Sequence, residues 1–233
     1  MARTPIVCVP GLLCSAEIFE PQISALWPHG PVHLASTLEG STIAEIASSV
    51  LATAPPSFAL VGLSMGGIIS LEIMRQVPER VKKLALLDTS ARADTPEQTE
   101  LRRASIAQAK AGNFAAVLHQ ALQVGLRPAV WNNPELRQLY RRMGMTIGPE
   151  SFCRHQEAMI ARIDSRPSLS RIGAPTLVLV GDTDQLTPPD RAKEIAAAIP
   201  GARLVEIPEC GHGSTLDQPQ AVTHALIQWL TGS

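Results

Sequence analysis

Residues 58–77, FALVGLSMGGIISLEIMRQV, constrain the fold more than any other part of the chain. An unbroken apolar run at 58–61 meets a Gly-rich turn without a linker, and a helical segment at 65–76 follows at once. Residues 58–61 read as a buried strand, because a run with no polar alternation suits a strand covered on both faces. Swinging from strand to helix within two residues forces Ser64 into a strained backbone conformation. Side chains at Gly62 and Gly66 would collide with neighbouring backbone, so the turn demands glycine there.

The same rhythm recurs along the chain. Residues 6–9 (IVCV) are a short buried strand ending at Pro10-Gly11, and residues 32–35 are a second, weaker one. Ser41-Thr42 start a helix at 43–51, which Pro55-Pro56 end because proline supplies no amide hydrogen and clashes with a continuing turn. A strand at 81–87 ends at Asp88. From 93 to 169 the alternation disappears, leaving helical segments at 97–111, 114–124, 134–143 and 149–163. It resumes with strand 176–180, helix 189–198, strand 203–207 and a last helix at 216–230. Apolar strands separated by helices predict an α/β fold, a mostly parallel central sheet flanked by helices. Residues 1–92 and 170–233 form the expected core, and 93–169 a helical insertion.

A chain of 233 residues can bury about 70% of its extended surface without a disulfide or metal staple. With 45% hydrophobic residues but one Tyr, four Phe and three Trp, its core must be mainly aliphatic. Lys+Arg 20 against Asp+Glu 21 leaves a formal net charge of -1, no field for nucleic acid or an anionic membrane. Arg102-Arg103 and Arg141-Arg142 read as solvated helix faces. Cys8, Cys14, Cys153 and Cys210 match no zinc or CxxC spacing, so they read as reduced thiols. No signal peptide and no apolar stretch of about 18 residues is visible. The expected location is the cytoplasm.

Gly62-Leu63-Ser64-Met65-Gly66 has the form G-x-S-x-G in the strand–turn–helix setting that a nucleophile elbow needs. The turn lifts the Ser64 hydroxyl to the carboxyl end of the sheet, above a helix N-terminus that favours developing negative charge. A Gly-rich loop in which Ser64 merely caps a helix is the structural alternative. The second-position glycine of a dinucleotide fingerprint and the lysine of a Walker A loop are both missing. Serine needs a base, and the base an orienting carboxylate. Of six histidines, His212 follows a strand and sits between two glycines, free to reach across the sheet. His224 falls in a helix and His29 in a proline-rich loop; His119 and His155 lie in the insertion. Asp182 and Asp184 both follow strand 176–180, and periodicity does not choose between them.

The elbow, the segment Pro175-TLVLV-Gly181-Asp-Thr-Asp184 and Gly211-His212 resemble the α/β-hydrolase family, specifically its lid-bearing esterase and meta-cleavage-hydrolase-like branch. The resemblance covers nearly the whole chain and keeps the order Ser…Asp…His. It selects Asp184 as the acid and implies that Asp182 orients loop backbone or meets solvent. It makes 93–169 a lid and assigns the backbone amides of Leu12 and Met65 to the oxyanion. Pro10 stands where the family carries histidine in its His-Gly-x sequence, a departure that leaves the Leu12 amide in place.

The resemblance therefore implies a serine hydrolase acting through Ser64, His212 and Asp184 and an acyl-enzyme, with no metal or organic cofactor. Its partner is a small-molecule, ester-like substrate. Leu12, Leu13, Met65 and Leu186 around the expected mouth favour an uncharged acyl part, because an apolar wall does not compensate carboxylate desolvation. Arginines of the insertion, including Arg166, are the feature that would answer an acidic substrate. A carboxylesterase for small or medium acyl groups is the first expectation. A lactonase, a thioesterase, a carbon–carbon bond hydrolase and a non-catalytic binding protein are the alternatives.

Overall fold

The computed structural model describes residues 3–232. Six strands form one sheet, β1 (Ile6–Val9), β2 (Val32–Leu34), β3 (Phe58–Leu63), β4 (Val81–Leu87), β5 (Thr176–Gly181) and β6 (Arg203–Ile207), in the order β2-β1-β3-β4-β5-β6. Every pairing is parallel. A parallel pair needs a crossover rather than a hairpin, which is why helices intervene.

Side-chain period two splits the sheet between two cores. Val7, Val9, Leu60, Leu84, Leu86, Val178 and Val180 face one cluster with α2 (Ile43–Thr53), α3 (Met65–Gln76) and α9 (Pro189–Ala198). Ile6, Cys8, Val61, Leu63, Ala85, Leu87, Leu177 and Leu179 face the other, with α1 (Glu20–Leu26) and α11 (Pro219–Thr231). Thr42 caps α2 by accepting the Glu45 amide at 3.1 Å. Helix α1 is absent from the sequence expectations; its seven residues, with Pro21 in the first turn, are too few to display a period.

Between β4 and β5 the described chain is helical: α4 (Pro96–Gln108), α5 (Phe114–Gly125), α6 (Pro128–Trp131), α7 (Pro134–Ile160) and α8 (Arg166–Leu169). Thr95 and Gln98 close a capping box on α4. Helix α7 runs on past the expected end at 143 and breaks only at Gly148 (φ 74°), just before Pro149. The last helical stretch is split into α10 (Ser214–Asp217) and α11, with Pro219 opening the second piece.

Arg102 is not part of a solvated face. Its guanidinium, 19% exposed, binds Asp94 at 2.7 Å and Gln156 at 2.6 Å. Arg162 grips the other oxygen of the same buried carboxylate. Helical spacing exposes one edge of α4, but the loop residue Asp94 comes back over it. Asp94 and Arg162 thereby join the two ends of the helical segment. Arg103, Arg141 and Arg142 are exposed, with Arg142 paired to Glu17 at 2.5 Å.

Candidate active site

Ser64 stands at the turn between β3 and α3 with φ 55° and ψ -115°, a region that costs a side-chain-bearing residue about 1–3 kcal/mol. The glycine requirement is steric: a Cβ on Gly66 would lie 2.0 Å from the Val9 carbonyl oxygen, and one on Gly62 2.4 Å from that of Gly66. Among the described residues, the non-glycine positions with positive φ are Leu13, Ser64, Asp88 and Glu209. Each lies in the loop that leaves the carboxyl end of β1, β3, β4 or β6, so local strain gathers on one rim of the sheet.

The sheet's hydrogen bonding runs on into that rim. The Ser64 amide donates to Leu87, the Asp88 amide to Leu179 and the Asp182 amide to Ile207, at 2.9, 2.9 and 3.0 Å. The rim thus carries Ser64, Asp88, Asp182 and the His212 loop in the order of their strands. Adjacent strands are about 4.8 Å apart, so a side chain from beyond β6 has roughly 14 Å to cross to reach β3. Residues 208–212 make that crossing. His212 Nε2 ends 2.8 Å from Ser64 Oγ, and Nδ1 2.8 Å from Asp184 Oδ2.

Asp184 is held by more than the imidazole. Its Oδ1 accepts the amides of Leu186 and Thr187 at 2.8 and 2.9 Å, and its Oδ2 accepts the Thr187 hydroxyl at 2.7 Å. The Asp184 side chain is 0% exposed and that of His212 15%, so the acid is sealed while the ring keeps some access to solvent. Burial works to raise the Asp184 pKa. The charge and hydrogen bond of His212, with the donors from Thr187, outweigh it and hold the carboxyl below its ordinary range. Burial likewise disfavours the His212 cation, yet Asp184 and the charge of Asp88 prevail and raise its pKa above 6.5.

Asp182 points elsewhere: its Oδ1 accepts the Cys210 amide at 3.1 Å. The separation of two residues carries the argument, since Asp182 leaves the strand end toward β6 while Asp184 turns under the histidine. Met65 directly follows Ser64, and Leu12 follows Gly11 in the loop after β1. Met65 opens α3, where the first amides have no intrahelical acceptor. A Cβ on Gly11 would come within 3.2 Å of Ser64 Cβ, which sets the Gly11-Leu12 turn directly against the serine.

Leu13 is buried with Ile106, Phe114, Val117, Leu118 and Phe152, so the loop after β1 and the helical segment share one apolar cluster. Leu186 remains 45% exposed and approaches Gly125 of α5. His155 is buried on the Thr37 carbonyl, with Nε2 at 2.8 Å, and His119 stacks edge-on to Trp131. Arg166 is bound to Asp164 and Glu194. The four cysteines are free.

Three neighbours of His212 were not singled out from the sequence. Asp88 is fully buried between the loops carrying Asp184 and His212. Tyr140 of α7 donates to the Gly213 carbonyl at 3.4 Å. Asp217 accepts the Gly211 amide at 2.7 Å while paired with Arg127. Only Asp88 left a trace in the sequence, as a carboxylate placed at the end of a buried strand.

Comparison with known proteins agrees with this architecture. A pimeloyl-[acyl-carrier protein] methyl ester esterase of Neisseria meningitidis serogroup B is 26% identical over 213 residues, 86% of this chain and 81% of the relative. A thermophilic esterase from Thermogutta terrifontis superposes with a TM-score of 0.89 at 27% identity, covering 99% of this chain and 90% of that one. The enol-lactonase of Burkholderia xenovorans LB400 gives 0.88 at 25% identity, covering 99% and 92%. No helix among the described residues is long and apolar enough to cross a membrane. The sequence profile of the alpha/beta hydrolase fold matches residues 41–219. The chain is an enzyme of the α/β-hydrolase family.

Proposed function

We propose that the protein is a serine hydrolase that cleaves carboxylic esters with a small or medium, mainly apolar acyl group. The observation that carries this reading is the unbroken chain from Ser64 Oγ to His212 Nε2 and from His212 Nδ1 to Asp184, 2.8 Å at each link. Nδ1–H donates to Asp184, leaving Nε2 as the acceptor for the serine proton.

As Ser64 Oγ bonds to the ester carbonyl carbon, His212 takes its proton and the carbonyl π pair moves to oxygen. The Leu12 and Met65 amides receive that oxyanion, and Asp184 stabilises the imidazolium. Collapse expels the alkoxide, which leaves as alcohol with the proton from His212. A water deprotonated by the same ring then attacks the acyl-enzyme, and collapse of the second tetrahedral intermediate returns the proton to Ser64.

Residues 93–169 serve in this reading as a lid. Its Phe114, Leu118 and Phe152 meet Leu13 beside the serine turn and supply an apolar wall. With Arg166 engaged by Asp164 and Glu194, that arginine has no call on an acidic substrate. The ester reading is also supported by the relatives, two esterases and an enol-lactonase. No organic or metal cofactor takes part in the proposed reaction.

A p-nitrophenyl ester series with wild type and Ser64→Ala tests the reading. The expected result is hydrolysis that depends on acyl length and disappears in the variant. A folded wild type inactive on esters overturns it. Activity confined to thioesters, lactones or dienoic diones in a parallel panel replaces the ester reading with the corresponding alternative.

A further inference from the structure

One buried carboxylate joins the two loops that meet on Ser64. Asp88 follows β4, between the strand that leads to Ser64 and the strand that leads to Asp184. It is 0% exposed and adopts φ 46°, a backbone region uncommon for residues other than glycine. Its Oδ1 accepts the Gly181 amide at 3.2 Å, three residues before Asp184, and its Oδ2 accepts the Ser214 amide at 2.9 Å, two residues after His212. The carboxylate therefore fastens the loop that leads to Asp184 and the loop that carries His212.

We propose that Asp88 is a positioning residue for His212, fixing the two loops and adding a second negative charge that favours the imidazolium formed during attack. This inference rests on the proposed serine-hydrolase reading. Two hydrogen bonds to backbone alone would define a structural anchor. The charge distinguishes the two roles, because a loop anchor by itself does not favour a cation and only the loss of charge lowers the pKa of His212.

The groups facing Asp88 leave few candidates for titration. Asp184 comes from the loop after β5, His212 and Cys210 from the loop after β6, and Tyr140 from α7. Burial pushes the Tyr140 hydroxyl and the Cys210 thiol upward, so both stay neutral. Asp184 is held low and stays ionised. Burial and the charge of Asp184 raise Asp88 to about 6, against the opposing pull of His212 and the bonds from Ser214. His212, in turn, is raised partly by Asp88. Near neutral pH Asp88 is thus ionised, and it protonates as pH falls through about 6.

The test compares kcat/KM against pH for wild type and Asp88→Asn on a p-nitrophenyl ester. Removing the charge should move the acidic limb down by roughly one pH unit, because one source of cation stabilisation is gone. A limb that stays in place or moves up, with or without a lower melting temperature, overturns the proposal and leaves Asp88 a structural anchor. A variant that does not fold is replaced by NMR titration of wild type labelled at aspartate Cγ and histidine Cε1. One carboxyl should titrate near 6 and draw a second inflection from His212; a His212 curve with a single inflection and no carboxyl titrating above pH 5 also overturns it. A wild type without esterase activity defeats the functional reading alone, since the NMR experiment still tests the coupling.

Discussion

The guanidinium of Arg127 lies 2.6 Å from Asp217, and the same carboxylate accepts the amide of Gly211, the residue before His212. The helical segment between β4 and β5 is thereby tied to the loop that carries the histidine. Asp217→Ala leaves an amide and a guanidinium without their shared acceptor. It should lower unfolding stability by roughly 3 kcal/mol and kcat by about 10–100-fold through misplacement of the ring. Urea unfolding and steady-state kinetics check both. Unchanged kcat with lowered stability would separate the tie from catalysis.

The two aspartates after β5 should behave very differently. Asp184→Asn removes the anionic acceptor from His212 Nδ1 and should reduce kcat by about 10³–10⁴-fold, the scale of losing the tautomer-fixing acid. Asp182→Asn keeps an oxygen for the Cys210 amide and should change kcat only slightly. Kinetics of both variants, with circular dichroism to verify folding, make the comparison. Equal losses would contradict the assignment.

Activity should fall as the medium becomes acidic. The proposed base works only when neutral, and its pKa is raised above 6.5 by Asp184 and Asp88 against the opposing effect of burial. Protonation therefore removes activity as pH drops through that raised value, while Asp184 remains ionised. A kcat/KM profile on an uncharged ester should show its acidic midpoint above 6.5. A midpoint below 6 would exclude His212 in this environment as the base.

Glycines in and out of the elbow supply a steric test. Gly66→Ala places a methyl group 2.0 Å from the Val9 carbonyl, between two backbones that have little freedom to part. It should abolish turnover and cost at least about 3 kcal/mol. Gly173→Ala meets nothing within 4 Å and should leave both quantities close to wild type. Thermal melts and ester hydrolysis measure the contrast.

Much of the fold was legible because strands covered on both faces are written as unbroken apolar runs. β1, β3 and β5 follow that rule, being buried along their whole length, whereas β2, β4 and β6 carry His33, Lys82, Lys83, Arg203 and Glu206. The elbow was legible because its stereochemistry admits only glycine at two fixed offsets from Ser64. Helix α1 was not, having too few turns to repeat a pattern. Arg102 was read as solvated because its partner Asp94 approaches from outside the helix.

The sequence by itself determined the sheet, the strained turn at Ser64 and a histidine able to reach it, all consequences of local sterics and period. Its residues left Asp182 and Asp184 even and the family resemblance chose Asp184; the tertiary structure brings Asp184 to His212 Nδ1 and ties Asp88 to the loops of both. Side chains two residues apart in one loop share composition and polarity, yet they leave the backbone in different directions. The approach of β4, β5 and the loop beyond β6 sets those directions, and no local pattern records it.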